Sequence, residues 1–156
     1  MSAGIEIRAA YMSEWDAAMR LAWKTFLKFE GEEYSDEGIR NFWDFITGDT
    51  LERMFRTGVY QLFVALHHGE IVGMISMRGE HHISLLFVDE AYHRKGIGRA
   101  LIAYLSDYLC REMGERSVTV NASPYGEAFY HALGFCDRGS RMQTDGIIYT
   151  PMELVF

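Results

Sequence analysis

The chain has 156 residues, of which 49% are hydrophobic, and its formal net charge at pH 7 is −7. This length and composition predict a single domain over residues 1–156 that is large enough to bury a core. The negative charge argues against a nucleic-acid partner, whose phosphates require a basic surface, and no apolar run is long enough to cross a membrane.

The N-terminal residues 1–8 lack the basic and then apolar regions of a secretory signal. Cys110 and Cys136 are the only cysteines, which is too few for a disulfide framework. We therefore expect a reduced, cytoplasmic protein.

The first elements are a strand and a helix. Alternation in Ile5–Arg8 predicts the strand, and Ser13–Asp16 is a capping-box-like helix start. The helix carries a stripe of residues spaced by three or four: Trp15, Ala18, Ala22, Phe26 and Phe29. Such a stripe favours core packing over contact with a substrate.

An acidic, glycine-containing segment, residues 30–38, follows the helix and is predicted to be an exposed connection. A second helix comes next, with its apolar residues on one side: Ile39, Phe42, Trp43 and Ile46. Asp49–Glu52 predicts the start of a third, short helix.

Strand patterns replace helical ones from Tyr60 onward. Gln61–Leu66 and Ile71–Met77 flank a short turn, which predicts a β-hairpin. The run 83–88 is almost wholly apolar, which is typical of a central strand buried on both faces.

A glycine-rich turn, Arg94–Gly98, joins this strand to a helix. The first N–H groups of a helix lack internal partners and carry partial positive charge, so the turn predicts an anion site. Gly96 and Gly98 allow close approach, while Arg94, Lys95 and Arg99 add charge. A phosphate or pyrophosphate is the expected ligand, although the spacing fits neither the dinucleotide fingerprint nor the P-loop.

Three further elements close the chain. Ser117–Asn121 has the pattern of a strand. Ser123 and Pro124 begin a short helix that Gly134 ends. Two closing strands are predicted from Phe135 onward and over 147–156.

Two segments of the chain resemble the GCN5-related N-acetyltransferases (GNAT). Residues 93–98, His-Arg-Lys-Gly-Ile-Gly, match the acyl-coenzyme A loop of that family, Gln/Arg-x-x-Gly-x-Gly/Ala, except that His93 takes the first position; Val88 lies at the expected distance upstream. Residues 121–135 resemble the second signature, a strand ending in Asn-Ala-Ser before a helix with Phe-Tyr-x-x-Leu-Gly-Phe. The resemblance covers residues 5–156. It implies an α/β fold whose mixed, mostly antiparallel seven-stranded sheet has helices on both faces and is split beside the central strand.

The resemblance also implies N-acetyl transfer from acetyl-CoA to a primary amine, by direct attack in a ternary complex. Tyr130 would point its hydroxyl at the coenzyme A sulfur and protonate the departing thiolate, although an amphipathic core residue is its alternative. Asn121 would hydrogen-bond the pantetheine or a nearby water. The cofactor-binding residues carried over from the family are Phe87, Val88, His93, Arg94, Lys95, Gly96, Ile97, Gly98, Arg99, Asn121 and Tyr130.

The general base is open at this point. In several branches of the family it lies six residues before the valine, a position that His82 occupies here. An unperturbed histidine pKa near 6.5 suits proton acceptance at neutral pH. Glu80, a water relayed by Ser84, and a merely polar role for His82 are the alternatives.

The acceptor is also open. In the family the region between the first two strands folds over the acceptor, so the acidic segment 30–38 and the side chains of Tyr34, Phe42 and Trp43 are candidates for its selection. A solvated loop is the alternative interpretation of the segment. The acceptor is a small molecule or a peptide amine, and a homodimer is an expectation from relatives alone. A non-catalytic acetyl-CoA sensor or partner-docking domain is the second hypothesis.

No metal cofactor is expected. His81 and His82 are adjacent in a strand and would point to opposite faces, and His67 and His68 share a turn.

Overall fold

The computed structural model describes residues 4–156, and its strands form an eight-stranded sheet. The strands are β1 (Ile5–Ala9), β2 (Gln61–His67), β3 (Glu70–Arg78), β4 (His82–Val88), β5 (Ser117–Ala122), β6 (Cys136–Asp137), β7 (Met142–Thr144) and β8 (Ile147–Val155), and the helices are α1 (Trp15–Phe29), α2 (Asp36–Thr47), α3 (Asp49–Arg56), α4 (Ile97–Met113) and α5 (Glu127–Ala132). Their order across the sheet is β1-β2-β3-β4-β5-β8-β6, with β7 paired to β8.

The pairing of β4 with β5 is parallel, and every other pairing in the described sheet is antiparallel. The predicted fold class, a mixed and mostly antiparallel sheet with helices on both faces, is confirmed. The sequence pattern predicts seven strands, and the structure adds β7. This strand forms because a tight turn with positive φ at Asp145 and Gly146 returns the chain into β8.

The hairpin predicted between the second and third strands is confirmed. Its two-residue turn is His68-Gly69, with φ angles of 50° and 79°. Positive φ at both central positions is the geometry that matches the twist of paired strands. The hairpin places β3 beside β4, so β4 lies in the interior of the sheet.

Each face of the sheet has its own hydrophobic core. One face is covered by α4 and α5 and the other by α1, α2 and α3. The first core includes Ile75, Leu101, Leu105, Leu109 and Val118, and the second includes Trp15, Phe26, Leu62, Val64 and Met74. Each fully buried large apolar side chain stabilises the fold by roughly 1.5–3 kcal/mol.

The stripe on α1 is only partly a core stripe. Trp15 and Phe26 are buried as predicted. Phe29, the last residue of α1, instead contacts two other rings. Its ring lies 5.4 Å from that of Tyr125 and 4.8 Å from the imidazole of His93.

The acidic segment 30–38 is not the exposed connection that its composition predicts. Gly31–Glu33 forms a 3-10 turn, and Ser35 caps α2 by accepting a hydrogen bond from the N–H of Gly38. Glu30, Glu33 and Tyr34 are half-buried. Composition does not reveal this burial, because it depends on where the end of α1 meets the far edge of the sheet.

The N-terminus of α2 is fixed to the turn between β7 and β8. A Cβ atom at Gly38 would lie 2.5 Å from the carbonyl oxygen of Gly146, closer than any side chain can approach. The Asn41 amide also donates a 3.1 Å hydrogen bond to the carbonyl oxygen of Asp145. This contact joins segments that are more than one hundred residues apart in the chain.

Candidate active site

A groove opens where β4 and β5 separate. The two strands pair only at His82 with Thr119 and at Ile83 with Val120, and beyond these pairs they diverge. The space between them has a volume of about 1430 Å³ and is walled on one side by residues 84–88 of β4. The predicted split of the sheet beside the central strand is therefore confirmed.

The glycine-rich loop lies at this groove and leads directly into α4, as predicted. Arg94 and Gly96 both have positive φ, 63° and 80°, and α4 begins at Ile97. The N–H groups in the first turn of a helix lack partners within the helix, and the first turn of α4 borders the groove. The loop and the first turn of α4 contribute these groove-lining residues: His93, Arg94, Gly96, Ile97, Gly98 and Arg99.

Two residues of the loop, Lys95 and Gly98, have packing contacts within the protein. The Lys95 ammonium lies 5.6 Å above the ring of Tyr92, and Lys95 does not line the groove. Gly98 is required by packing, because a Cβ atom there would lie 3.1 Å from the ring of Phe129 on α5.

His93 holds the loop against the end of the central strand. Its Nε2–H donates a 2.7 Å hydrogen bond to the carbonyl oxygen of Val88. The imidazole also packs against Phe29 of α1. The side chain at the first position of the loop thus connects three elements.

Tyr130 lies in α5 and lines the groove, with 8% of its surface exposed. Its ring makes edge contacts with Phe129 and Phe135, each at 5.1 Å between centroids. Burial, and secondarily the charge of Glu30, raise the pKa of the Tyr130 hydroxyl. The hydroxyl therefore carries its proton at physiological pH.

Asn121 and Phe87 lie on opposite walls of the groove. Asn121 is at the end of β5, where it pairs with Pro151 of β8. Phe87 and Val88 end β4, and the Phe87 side chain packs into the core on the α1 side. The ends of β4 and β5 thus flank the groove.

His82 lies at the apex of the split. Its Nδ1 is 2.8 Å from the Thr119 hydroxyl. Burial, then the charges of Arg78 and His81, lower the pKa of His82 to about 4. The imidazole is neutral at physiological pH, but it is a weaker base than an ordinary histidine side chain.

The two alternatives to His82 are placed differently. Glu80 is exposed in the turn between β3 and β4 and does not line the groove. Ser84 does line it and accepts a 2.9 Å hydrogen bond from the hydroxyl of Tyr60. Of the aromatic residues expected near the acceptor, Tyr34 and Phe42 line the groove, whereas Trp43 is 44% exposed and packs on Trp23.

Glu30 is a groove residue that the sequence analysis did not single out. It caps the end of α1 and lines the groove. Burial and the charge of Glu33 raise the pKa of Glu30 to about 7. The sequence did contain a signal for this position, because Glu30 directly follows Phe29, the last residue of the aromatic stripe on α1. A carboxylate next to a buried helix face is more enclosed than one within a polar segment.

Further charged groups line the groove. They are the carboxylates of Glu37 and Asp145 and the guanidinium of Arg78. Within residues 4–156, no three His, Cys, Asp or Glu side chains come together so as to hold a metal ion. The same residues include no helix that is both long and apolar enough to span a membrane.

A family model described as an acetyltransferase (GNAT) domain matches residues 30–156. The uncharacterized N-acetyltransferase YafP of Escherichia coli (strain K12) is 39% identical over 75 residues, which are 48% of this chain and 45% of that protein. The match thus spans less than half of the length of that curated relative.

Solved structures resemble the whole fold. A GCN5-related N-acetyltransferase from Rhodopseudomonas palustris superposes with a TM-score of 0.85 at 19% identity, covering 100% of this chain and 98% of that one. The PaiA N-acetyltransferase of Thermoplasma acidophilum, in complex with coenzyme A, gives 0.79 at 19% identity with 100% of both chains covered. Ard1 from Thermoplasma volcanium gives 0.67 at 24% identity with 97% of both covered. These likenesses show the fold.

Proposed function

The chain belongs to the GNAT acetyltransferase family, and on that premise we propose that it transfers an acetyl group from acetyl-CoA to a primary amine by direct attack in a ternary complex. The observation that carries the proposal is the groove between β4 and β5, which the loop 93–98, Tyr130 and His82 all border. Acetyl-CoA supplies an activated thioester when it is bound. Its pyrophosphate and its amide-containing arm need hydrogen-bond donors, and the groove offers donors along its length.

The binding residues in this proposal are those of the loop and the two strand ends. The backbone N–H groups of residues 94–98, with the side chains of Arg94 and Arg99, hold the pyrophosphate, and Lys95 adds positive charge nearby. The positive φ at Arg94 and Gly96 supports this assignment, because it turns successive N–H groups toward one side. The end of β4 at Phe87 and Val88 binds the pantetheine from one wall, where the backbone N–H of Val88 faces away from β3, and Asn121 binds it from the other.

Tyr130 is the proposed acid for the departing thiolate. Its raised pKa keeps the hydroxyl protonated, which the role requires. His82 is the family-derived candidate for the base. Its position at the apex of the split supports that role, whereas a pKa lowered to about 4 makes the neutral imidazole a weak base.

The charges of the groove support a cationic acceptor. Glu30, Glu37 and Asp145 line it, and aromatic rings of Tyr34 and Phe42 lie among them. Carboxylates beside aromatic faces attract an ammonium group carried on an apolar body. The acceptor in this proposal is a small molecule or a peptide with a primary amine.

The test is calorimetric titration with acetyl-CoA, followed by a thiol-release assay over polyamines, aminoglycosides, amino acids and N-terminal peptides. Binding together with release on one class would establish the enzyme and identify its acceptor class. Binding without release on every class would favour the second hypothesis, a non-catalytic acetyl-CoA sensor. Absence of binding would contradict both.

A further inference from the structure

We infer that the side-chain hydroxyl of Ser84 donates a hydrogen bond to the acetyl oxygen during the transfer reaction proposed above, and that Tyr60 and Ser76 hold this hydroxyl in the required orientation. The inference rests on that proposed function. Ser84 lies on β4, Ser76 on β3, and Tyr60 directly before β2, so three neighbouring strands bring the hydroxyls together. All three residues lie outside the two segments that resemble the family.

Ser84 lies where the sheet splits. The last residue pair between β4 and β5 is Ile83 with Val120, so Ser84 is the first residue of β4 beyond it. Toward β3, the register passes from Ile83 directly to Leu85, which makes Ser84 the extra residue of a β-bulge. Bulges re-aim side chains and are frequent next to active sites. In the described sheet, Ser84 thus has no register partner on either neighbouring strand, and it lines the groove.

The bulge turns Ser84 toward the face of the sheet that α1 covers. Ile83 packs in the core beneath α4 and Leu85 in the core on the α1 side, so the alternation of side chains is interrupted between them. The Tyr60 ring belongs to the same α1-side core, and its hydroxyl donates a 2.9 Å hydrogen bond to the Ser84 Oγ. Ser84 therefore joins a buried hydroxyl of the core to the groove.

The protons of this network are ordered. A tyrosine hydroxyl has one proton, and that of Tyr60 is donated to Ser84. The 2.5 Å hydrogen bond between Tyr60 and Ser76 is therefore donated by Ser76. The proton of Ser84 itself is left over, because no hydrogen bond among residues 4–156 uses it. The network is a chain of donors that ends in a free donor at the groove.

Stability does not account for these hydroxyls. Ser76 and Tyr60 are 0% and 1% exposed. A buried hydrogen bond adds little net stability, and apolar groups of the same shape can replace both of its partners at almost no cost. Such a chain instead supplies orientation and polarisation, because each donor strengthens the next. Burial also raises the pKa of the Tyr60 hydroxyl, which keeps its proton available for Ser84.

The acetyl end of a bound acetyl-CoA is expected near Ser84. In the proposed function the pyrophosphate lies at the glycine-rich loop, which follows the C-terminal end of β4. Ser84 lies four residues before Val88, roughly 13 Å back along the strand. The acetyl group is at the far end of the arm that leaves the pyrophosphate. An arm that follows β4 from the loop thus brings the acetyl group to the point where the groove begins.

A donor at this point stabilises the charge that develops during the transfer. The lone pair of the neutral amine bonds to the acetyl carbon, and the carbonyl π electrons move onto the acetyl oxygen. When that pair returns, the carbon–sulfur bond breaks and its electrons leave on sulfur. Sulfur takes the proton of Tyr130, which regains one from solvent, and the surplus proton of the nitrogen goes to water. Ser84 keeps its own proton throughout, as a fixed donor aimed at the charged oxygen.

The first test compares the wild type with Ser84→Ala, Ser84→Thr and Ser106→Ala on two acceptors of different classes. Ser84→Ala should lower kcat roughly 100-fold or more for both acceptors, while the Kd for acetyl-CoA and the KM for the acceptor change little. Ser84→Thr keeps the hydroxyl and should keep most of kcat. Ser106→Ala is the matched control, because that hydroxyl is buried on α4 and does not line the groove.

A second readout is independent of turnover. Acetyl-CoA with an isotopically labelled thioester carbonyl is bound without an acceptor, and its carbonyl stretch is recorded by infrared difference spectroscopy. A hydrogen bond from Ser84 weakens the carbon–oxygen double bond. The stretch should therefore lie at a lower wavenumber on the wild type and on Ser84→Thr than on Ser84→Ala.

Tyr60→Phe tests the positioning role. It removes the hydroxyl and keeps the edge contact of the ring with Trp15. It should lower kcat roughly threefold to tenfold in the wild type and leave kcat unchanged in the Ser84→Ala background, because its effect passes through Ser84. A purely structural role of Tyr60 would lower kcat by the same factor in both backgrounds.

Three results would overturn the inference and leave the transferase intact: wild-type kcat in Ser84→Ala, a carbonyl stretch that is the same on both proteins, or a loss confined to the KM of one acceptor. If Ser84→Ala fails to fold, Ser84→Cys takes its place, since it keeps the shape and has a weaker donor. A wild-type protein that turns over no acceptor overturns the proposed function, and the inference with it.

Discussion

The Nε2–H of His93 donates to the carbonyl oxygen of Val88 at 2.7 Å, so the first residue of the glycine-rich loop is tied to the last residue of the central strand. The bond joins residues five positions apart in the chain and fixes where the loop backbone lies relative to the groove. A histidine in place of the usual glutamine or arginine thus acts here as an internal brace.

The first prediction concerns this brace. His93→Ala removes one hydrogen bond worth roughly 0.5–1.5 kcal/mol, so the Kd for acetyl-CoA should rise by up to about tenfold while the fold is kept. His93→Gln, which can restore a donor, should raise it less. Calorimetric titration measures both, and an unchanged Kd in His93→Ala would mean that the brace does not set the loop.

The second prediction separates the effect of the loop on acetyl-CoA binding from the effect of glycine on the stability of α4. Gly96 and Gly114 stand at the two ends of α4 with φ angles of 80° and 67°, and a Cβ atom at either would meet nothing within 4 Å. Alanine at either site should cost a similar free energy of unfolding, roughly 1 kcal/mol. Only Gly96→Ala should weaken acetyl-CoA binding. Equal effects of the two variants on the Kd would contradict the assignment of the loop.

The third prediction concerns Tyr130. Tyr130→Phe keeps the ring contacts with Phe129 and Phe135 and removes only the hydroxyl. We expect kcat to fall roughly 100-fold with little change in melting temperature or in the Kd for acetyl-CoA. Tyr108→Phe is the matched control, because Tyr108 lies on α4 and its ring packs on Phe63 in the core beneath that helix. A Tyr130→Phe enzyme with wild-type kcat across pH would exclude the acid role.

The fourth prediction uses stability instead of rate. The pKa of Glu30 is raised to about 7 in the folded chain, above its ordinary value of 4.5. Between these values the folded state holds more protons than the unfolded state, so the free energy of unfolding should fall as pH rises through this window and stay lower above it. Glu30→Gln should flatten the curve and exceed the wild type above pH 7 by roughly 1–3 kcal/mol. Urea titrations at a series of pH values measure this; parallel curves would show that Glu30 titrates normally.

The fifth prediction concerns Gly38. Alanine in a helix normally stabilises by roughly 1 kcal/mol relative to glycine. At Gly38 the added methyl group would meet the Gly146 carbonyl oxygen at 2.5 Å, so we expect destabilisation instead, by roughly 1–3 kcal/mol. The KM for the acceptor should rise, and the Kd for acetyl-CoA should not. A stabilised Gly38→Ala variant would show that α2 moves freely away from the turn.

Local sequence patterns were enough to predict the central strand, the glycine-rich loop and the start of α4. The apolar run before the loop, the positions of Gly96 and Gly98, and the helical spacing after them are neighbours in sequence, so periodicity is enough to find them. The placement of Glu30 was wrong for the opposite reason. Its burial depends on where the end of α1 meets the rest of the fold, and Glu32 in the same acidic run is exposed.

The same limit applies to chemistry. The resemblance proposes His82 as the base from its position six residues before Val88, but its pKa depends on burial and on Arg78, which pairs with it from the neighbouring strand. The residue type alone therefore predicted a higher pKa than the surroundings of His82 allow. The secondary-structure element that carries a residue is easier to predict from sequence than the solvent exposure of its side chain.

The contact between Gly38 of α2 and Gly146 of the β7–β8 turn joins an early helix to a late hairpin. In the function proposed above, residues 84–98 contact acetyl-CoA, whereas α2 carries Phe42 beside the acceptor. Lengthening or shortening the hairpin should shift α2 while the sequence of residues 84–98 is unchanged. On that proposal, the contact is a place where the choice of amine can be redesigned while the use of acetyl-CoA is kept.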